Sequence, residues 1–172
     1  MGIEALLGGN FCSLCAMITD SVSSTRKTAK GVLMVQNLSQ IFYFIGSVVL
    51  KGYSSAVQNA VSFLRNILAI AGVKSKWVQW LMVVLGVGLG VYFNNLGLAG
   101  WLPIVANFIY TVAVFRFADN ELALKITFMI CVLMFGVFNG FILNFVGVVT
   151  NLMVFVTGTI SLCRKLKKKG AE

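Results

Sequence analysis

Residues 54–72 read SSAVQNAVSFLRNILAIAG, and the fold turns on how this stretch is understood. It is span-length, because a hydrocarbon layer about 30 Å thick takes about 20 helical residues. Within it Ser55, Asn59, Ser62 and Asn66 recur every three or four residues, with Gln58 and Arg65 beside them. As a helix it therefore carries one polar stripe on an otherwise apolar cylinder. A membrane helix satisfies its own backbone, so side-chain amides are an added cost and must face protein or water. The pattern also has an echo. Val57-x-Asn59-x3-Phe63 returns as Val149-x-Asn151-x3-Phe155, and Asn10-Phe11-x4-Ala16 returns as Asn107-Phe108-x4-Ala113. The two pairs occur in the same order, with the polar loop Ser21–Lys30 absorbing the difference in spacing.

Working outward, the 172-residue chain is 59% hydrophobic and only 11% charged, with a mean hydropathy of +0.92. Soluble domains carry about 25% charged residues, so this chain is too poor in charge to coat itself for water. Apolar runs predict seven spans near 3–21, 31–50, 54–72, 77–93, 98–115, 121–139 and 146–164. Gly52-Tyr53-Ser54, Asn94-Asn95 and Asn139-Gly140 are expected to mark turns, and Asp119-Asn120-Glu121 to cap the sixth helix. The expected fold is an all-α polytopic membrane bundle in one domain, 1–172: a three-helix repeat (1–74), a linker helix (75–96), and a second three-helix repeat with a basic tail (97–172). Pro103 is expected to start the fifth helix without harm, since a first-turn residue needs no N–H donor. Gly86-x3-Gly90 on the linker reads as close helix packing.

Charge sets the orientation. Of 14 cations, Arg26, Lys27, Lys30, Lys74, Lys76, Arg116, Lys125 and the five of the tail fall on one side of the predicted spans, with Lys51 alone opposite. The positive-inside rule then puts the N-terminus outside and the C-terminus inside. With the linker span returning the chain to the starting side, each copy begins outside and ends inside, so the two point the same way, as in parallel-repeat transporters.

Several classes of chemistry fall away. The basic residues form short clusters between apolar runs, which marks topological anchors and not a nucleic-acid surface. There is no His, hence no His/Cys/carboxylate metal cluster to be read, and no cofactor is expected. Cys12-Ser-Leu-Cys15 lies inside a span, where a redox pair would lack water and a helix N-terminus. No intramembrane carboxylate pair is available for acid–base work, and the seventh span has no internal Lys for a Schiff base, so an enzyme is not expected. The N-terminus lacks a basic n-region, so the first run is read as a retained span.

Polar stripes remain. The second span shows Gln36, Gln40, Tyr43 and Ser47 at helical spacing, the seventh Asn144, Asn151 and Gly158, and the fifth Asn107, Tyr110 and Thr111. Amides can act as interhelical glue at about 0.6 kcal/mol per contact; four converging stripes point instead to a hydrated cavity. Arg65 stands out, because Arg at a helix centre costs about 2.5–3.5 kcal/mol on insertion scales. Two readings of it stand: a structural pair with Asp20 or snorkelling, or a cationic contact for a polar or anionic solute.

The motifs Ser55-Ala56-x2-Asn59-x5-Arg65-Asn66, Trp101-Leu102-Pro103-Ile104 and Phe115-x3-Asp119 resemble bacterial inner-membrane proteins of the YgjV family over nearly the whole chain. That family is distantly similar to the SWEET, SemiSWEET and PQ-loop transporters, which are built as three helices, a linker and three helices. The resemblance implies a bacterial cytoplasmic membrane location and a pocket flanked by Asn59 and Asn151. Each Asn would have an aromatic residue sixteen positions earlier, Tyr43 and Phe135, where SWEET proteins carry Trp. Gln40, Arg65 and Asn107 complete the candidate solute-binding set. The expectation is a facilitator or secondary transporter for a small polar solute, working by alternating access in the lipid bilayer. The competing reading is a structural or accessory membrane protein whose amides are only glue.

Overall fold

The computed structural model describes residues 2–24, 29–73, 75–116 and 121–169. Among them it is helical without strands, in seven helices: α1 (Ile3–Ser24), α2 (Ala29–Val49), α3 (Tyr53–Ile70), α4 (Lys76–Tyr92), α5 (Trp101–Arg116), α6 (Glu121–Phe141) and α7 (Phe145–Lys169). Arg26, Lys27, Lys74, Asp119 and Asn120, which carry part of the charge and capping arguments, lie outside the described residues.

The first helix runs to Ser24 and the seventh to Lys169, three and five residues past the expected ends; two other boundaries differ for local reasons. The fifth helix starts at Trp101 and not near 98, because residues 97–100 form a turn in which Asn94 caps Leu96 N–H and donates to Gly97 O at 2.9 Å. Pro103 then falls in the first turn of α5, where a missing N–H costs nothing. The sixth helix runs through Asn139-Gly140 to Phe141, and the turn lies at Ile142–Asn144.

That turn reproduces the one between α2 and α3. At Leu50–Gly52 the bonds are Leu50 N–H to Gly46 O, Lys51 N–H to Val48 O, Gly52 N–H to Ser47 O and Ala56 N–H to Gly52 O. At Ile142–Asn144 they are Ile142 N–H to Phe138 O, Leu143 N–H to Gly140 O, Asn144 N–H to Asn139 O and Val148 N–H to Asn144 O, at one constant sequence offset. Lys51 and Leu143 occupy the same left-handed position, each with φ 58°. Both turns are Schellman caps, in which crossed bonds satisfy the last carbonyls of one helix as the chain reverses into the next.

Helix contacts close into a ring. Each of α1–α2, α2–α3, α3–α5, α5–α6, α6–α7 and α7–α1 is packed, and α4 lies against α3 and α5. Among the described residues no contact joins α1 to α3, α5 to α7, or helices across the ring. Exchanging α1 with α5, α2 with α6 and α3 with α7 leaves the ring contacts unchanged.

The two turns meet. Leu50, Phe138 and Ile142 form a buried cluster, with Leu6, Leu96 and Leu102 packed around it. Gly52 comes so close that a Cβ there would stand 3.1 Å from Phe138 Cζ and 3.2 Å from Ile142 Cδ1, so a side chain at this position would require those two to give by a few tenths of an ångström. Asn10 ties α1 to the α6–α7 turn, donating to Leu143 O at 3.0 Å and accepting from Val146 N–H at 3.0 Å.

Polarity runs inside out. Ser13, Ser39, Ser47, Ser55, Gln58 and Asn66 are buried, whereas Ile3, Leu7, Phe11, Leu14, Ile18 and Val22 form one exposed stripe along α1. On α2 the exposed stripe is Met34, Leu38, Ile41, Ile45 and Val48. A surface of this kind has no counterpart on water-soluble monomers, whose exposed apolar patches are small. Trp77 and Tyr92 project from the two ends of α4, 86% and 80% exposed. Their fifteen-residue separation is about 22 Å of helix, as for an interfacial aromatic belt. By length and composition, Ile3–Val22 of α1 passes as a membrane span, while the other apolar stretches, such as Leu33–Val49 and Ile126–Phe141, are shorter. The polar stripe of α3 is what breaks its apolar run.

Candidate functional site

The polar side chains gather around α3, because that helix has three packed neighbours and must present a different face to each. Gln58 faces α4 and α5. Its Nε2 donates to Gly86 O at 2.8 Å and its Oε1 accepts from Asn107 Nδ2 at 2.6 Å, so one buried amide joins three helices. Glycines on α4 allow this approach: a Cβ at Gly90 would lie 2.6 Å from Gln58 Nε2 and 2.8 Å from Ile104 Cγ1. The pairing expected from Gly86-x3-Gly90 is therefore with α3 and α5 together.

Below Gln58 on the same face, one and two turns along, come Val61 and Arg65. Arg65, Gln58, Val83, Gly86, Asn107 and Thr111 border a crevice of about 10 Å³ between α3, α4 and α5. That is about the volume that one water needs. Two residues singled out from sequence, Arg65 and Asn107, thus share one site, joined by Gln58 and Thr111, which were not among the candidates. Gln58 was hidden because it directly precedes Asn59. A step of one residue turns about 100° around the helix, enough to move it from the α2 face to the α4–α5 face.

On the other side of α3, Asn59 faces α2 and reaches Ser47 Oγ at 3.4 Å, while Ser47 Oγ lies 3.3 Å from Ser55 Oγ. Asn59 and Gln40 border a second cavity of about 280 Å³ between α2 and α3, otherwise walled by Ile41, Phe44, Phe63 and Leu64. Ile41, Phe44 and Leu64 belong to the exposed apolar surface, so this groove opens outward from the ring. It is a mostly hydrophobic cleft with two amides at its edge.

Tyr43 lies one turn from Gln40 but turns toward α1. Its hydroxyl and that of Ser39 bond to the Asp20 carboxylate, which joins α1 to α2. A pair of Asp20 with Arg65, one of the readings open for that arginine, is not among the described contacts. Asn151 packs at the α6–α7 interface, its Cβ 3.4 Å from where a Cβ on Gly136 would stand. Phe135, partly buried, precedes that glycine on α6. Asn151, Tyr43 and Phe135 line neither cavity. Asn59 lies at the α2–α3 interface and Asn151 at the α6–α7 interface.

The chemistry on offer is hydrogen bonding by amides and hydroxyls plus one guanidinium. Residues 8–169 match a family model, Imp-YgjV, described as a bacterial inner membrane protein. No curated protein and no solved structure matches the chain.

Proposed function

Because the chain belongs to the Imp-YgjV family of bacterial inner membrane proteins, we propose that it crosses that membrane seven times and acts as a facilitator or secondary transporter for a small polar solute. In this reading α1–α3 and α5–α7 are parallel copies of one unit, α4 is the linker that returns the chain to the starting side, and the N-terminus is outside. The observation that carries the proposal is the meeting of two equivalent turns, Leu50–Gly52 and Ile142–Asn144, in one apolar cluster at one end of a six-helix ring. Two copies that meet at two seams, α3–α5 and α7–α1, and at a plug formed by the apolar turn cluster can rock against each other, which is how parallel-repeat carriers expose a site alternately to each side. Asn59 and Asn151, with Tyr43 and Phe135 nearby, would line the solute path once the plug parts.

A specific observation favours a second reading. Gln58 and Asn10 spend their amides on protein partners, which is what interhelical glue does. A structural or accessory membrane protein would need nothing more.

Purified protein in proteoliposomes, assayed for uptake of labelled sugars, nucleosides, vitamins and amino acids, separates the two. Saturable uptake that Asn59→Ala or Asn151→Ala impairs, in protein that still folds, supports transport. Absence of uptake across the panel, or full uptake by both variants, removes the site assignment in favour of glue. Membrane-impermeant labelling of Asn95→Cys from the outside tests the orientation, and labelling only from the cytoplasmic side would reverse it.

A further inference from the structure

Among the described residues Arg65 has no counter-ion, and the phenol of Tyr110 is the polar group that acts on it electrostatically. Its side chain is partly buried and borders the crevice between α3, α4 and α5. No hydrogen bond or ion pair engages it among the described residues. Asp20 is held by Ser39 and Tyr43, on the far side of α2 from this crevice. Arg65 stands five residues before the end of α3 at Ile70, about 8 Å of helix. The guanidinium cannot lose its proton, so within the apolar layer it requires an anion or water.

The neighbouring groups are arranged to help. Asn107 spends one N–H on Gln58; a primary amide has two, so a second remains. Thr111 is 6% exposed and brings a hydroxyl to the same wall. Carboxylates are absent from that wall: its other members are Gln58, Val61, Met82, Val83, Gly86 and Val87, with Phe108 at the rim. Every polar hydrogen not already used there belongs to a donor suited to oxygen. The crevice holds about one water's volume, which admits one oxygen of an anionic group and not a sugar ring.

We propose that the α3–α4–α5 crevice binds the oxyanion group of a small ligand, a carboxylate or a phosphate, with Arg65 supplying the charge and Asn107 and Thr111 neutral donors. The anion comes either from a soluble molecule or from a lipid headgroup that reaches in along α4. Binding at this site does not depend on transport, so its test reads binding alone. A failure here leaves the uptake experiment untouched, and a failure of uptake leaves this site standing.

The full chain, purified in neutral detergent, is melted while its tryptophan fluorescence is followed. Sodium phosphate, sodium succinate, phosphatidylglycerol and phosphatidylcholine are added in separate titrations, with sodium chloride matching ionic strength. The expected result is saturable stabilisation by at least one of the three anions, and none by phosphatidylcholine. Stabilisation by phosphate or succinate identifies a soluble source; stabilisation by phosphatidylglycerol alone identifies a headgroup. Arg65→Gln is expected to weaken half-saturation about tenfold or more, since bonds to charged groups are the strong ones. Thr111→Val should weaken it less. Should Arg65→Gln fail to fold, Arg65→Lys gives the same answer, because it keeps the charge but loses the planar fork that grips an oxyanion and should weaken half-saturation severalfold. Equal half-saturation in wild-type and in whichever Arg65 variant folds, or a wild-type response no different from sodium chloride, overturns the proposal.

Discussion

Replacing Gln58 with Leu is the perturbation that most directly probes how the ring is held. The substitution keeps roughly the same bulk while deleting both the donor to Gly86 O at 2.8 Å and the acceptor for Asn107 Nδ2 at 2.6 Å. Interhelical hydrogen bonds in membrane proteins average about 0.6 kcal/mol, with a maximum near 1.7 kcal/mol, because the inserted but unpacked chain also finds partners. Two average bonds give a loss of about 1.2 kcal/mol, which is about a sevenfold fall in the folded-to-unfolded ratio. Gln58 is 2% exposed, so at most the one water that the adjoining crevice can hold replaces what is lost in the folded state. Equilibrium unfolding in mixed micelles, with sodium dodecyl sulfate as denaturant, would measure it. Trp77 and Trp80 lie on α4, the helix released on one side of the clamp, and serve as reporters. A double-mutant cycle with Asn107→Leu should return a coupling of about 0.6 kcal/mol, one bond's worth. Wild-type stability in Gln58→Leu, or zero coupling with Asn107→Leu, would refute the view that this amide binds α3 to α4 and α5.

Two further outcomes follow from backbone geometry and packing. Lys51→Gly and Leu143→Gly should each stabilise the protein by up to about 1 kcal/mol, since both replace a side chain in a left-handed conformation that costs roughly 1–2 kcal/mol; the same unfolding assay checks them, and opposite signs at the two sites would break the equivalence of the turns. Gly90→Ala should destabilise by about 1–3 kcal/mol, because its Cβ would press on Gln58 Nε2 and Ile104; a neutral effect would show that α4 can shift freely away from α3.

Much of the fold could be read without coordinates. Apolar runs and their breaks located all seven helices, and most ends fall within a few residues of expectation. Two of the exceptions have separate local causes. Asn139-Gly140 looked like a turn by residue type, but the helix ends at Phe141 because Leu143, not a glycine, takes the left-handed position. The start of α5 was misjudged because Asn94 builds a local turn through Gly97 that hydropathy does not register. Among site residues, Arg65 with Asn107 and Gln40 with Asn59 do share cavities. The pairing of Arg65 with Asp20 does not occur, and Gln58, the central clamp, was passed over because its neighbour Asn59 carried the more conspicuous repeat.

The sequence alone determined which residues are helical, which face of each helix is polar, and that two segments share a pattern. These are properties of a single helix, written in a period of 3.6 residues and visible within one turn or two. Only the tertiary structure decided which neighbour each polar face meets: Gln58 toward α4 and α5, Tyr43 toward Asp20 on α1, Asn10 toward the turn between α6 and α7. Helices in an apolar medium gain little from hiding apolar surface from one another, so close packing at small residues and a few long-range hydrogen bonds choose the partners. Those choices join residues far apart in the chain, and no local periodicity records them.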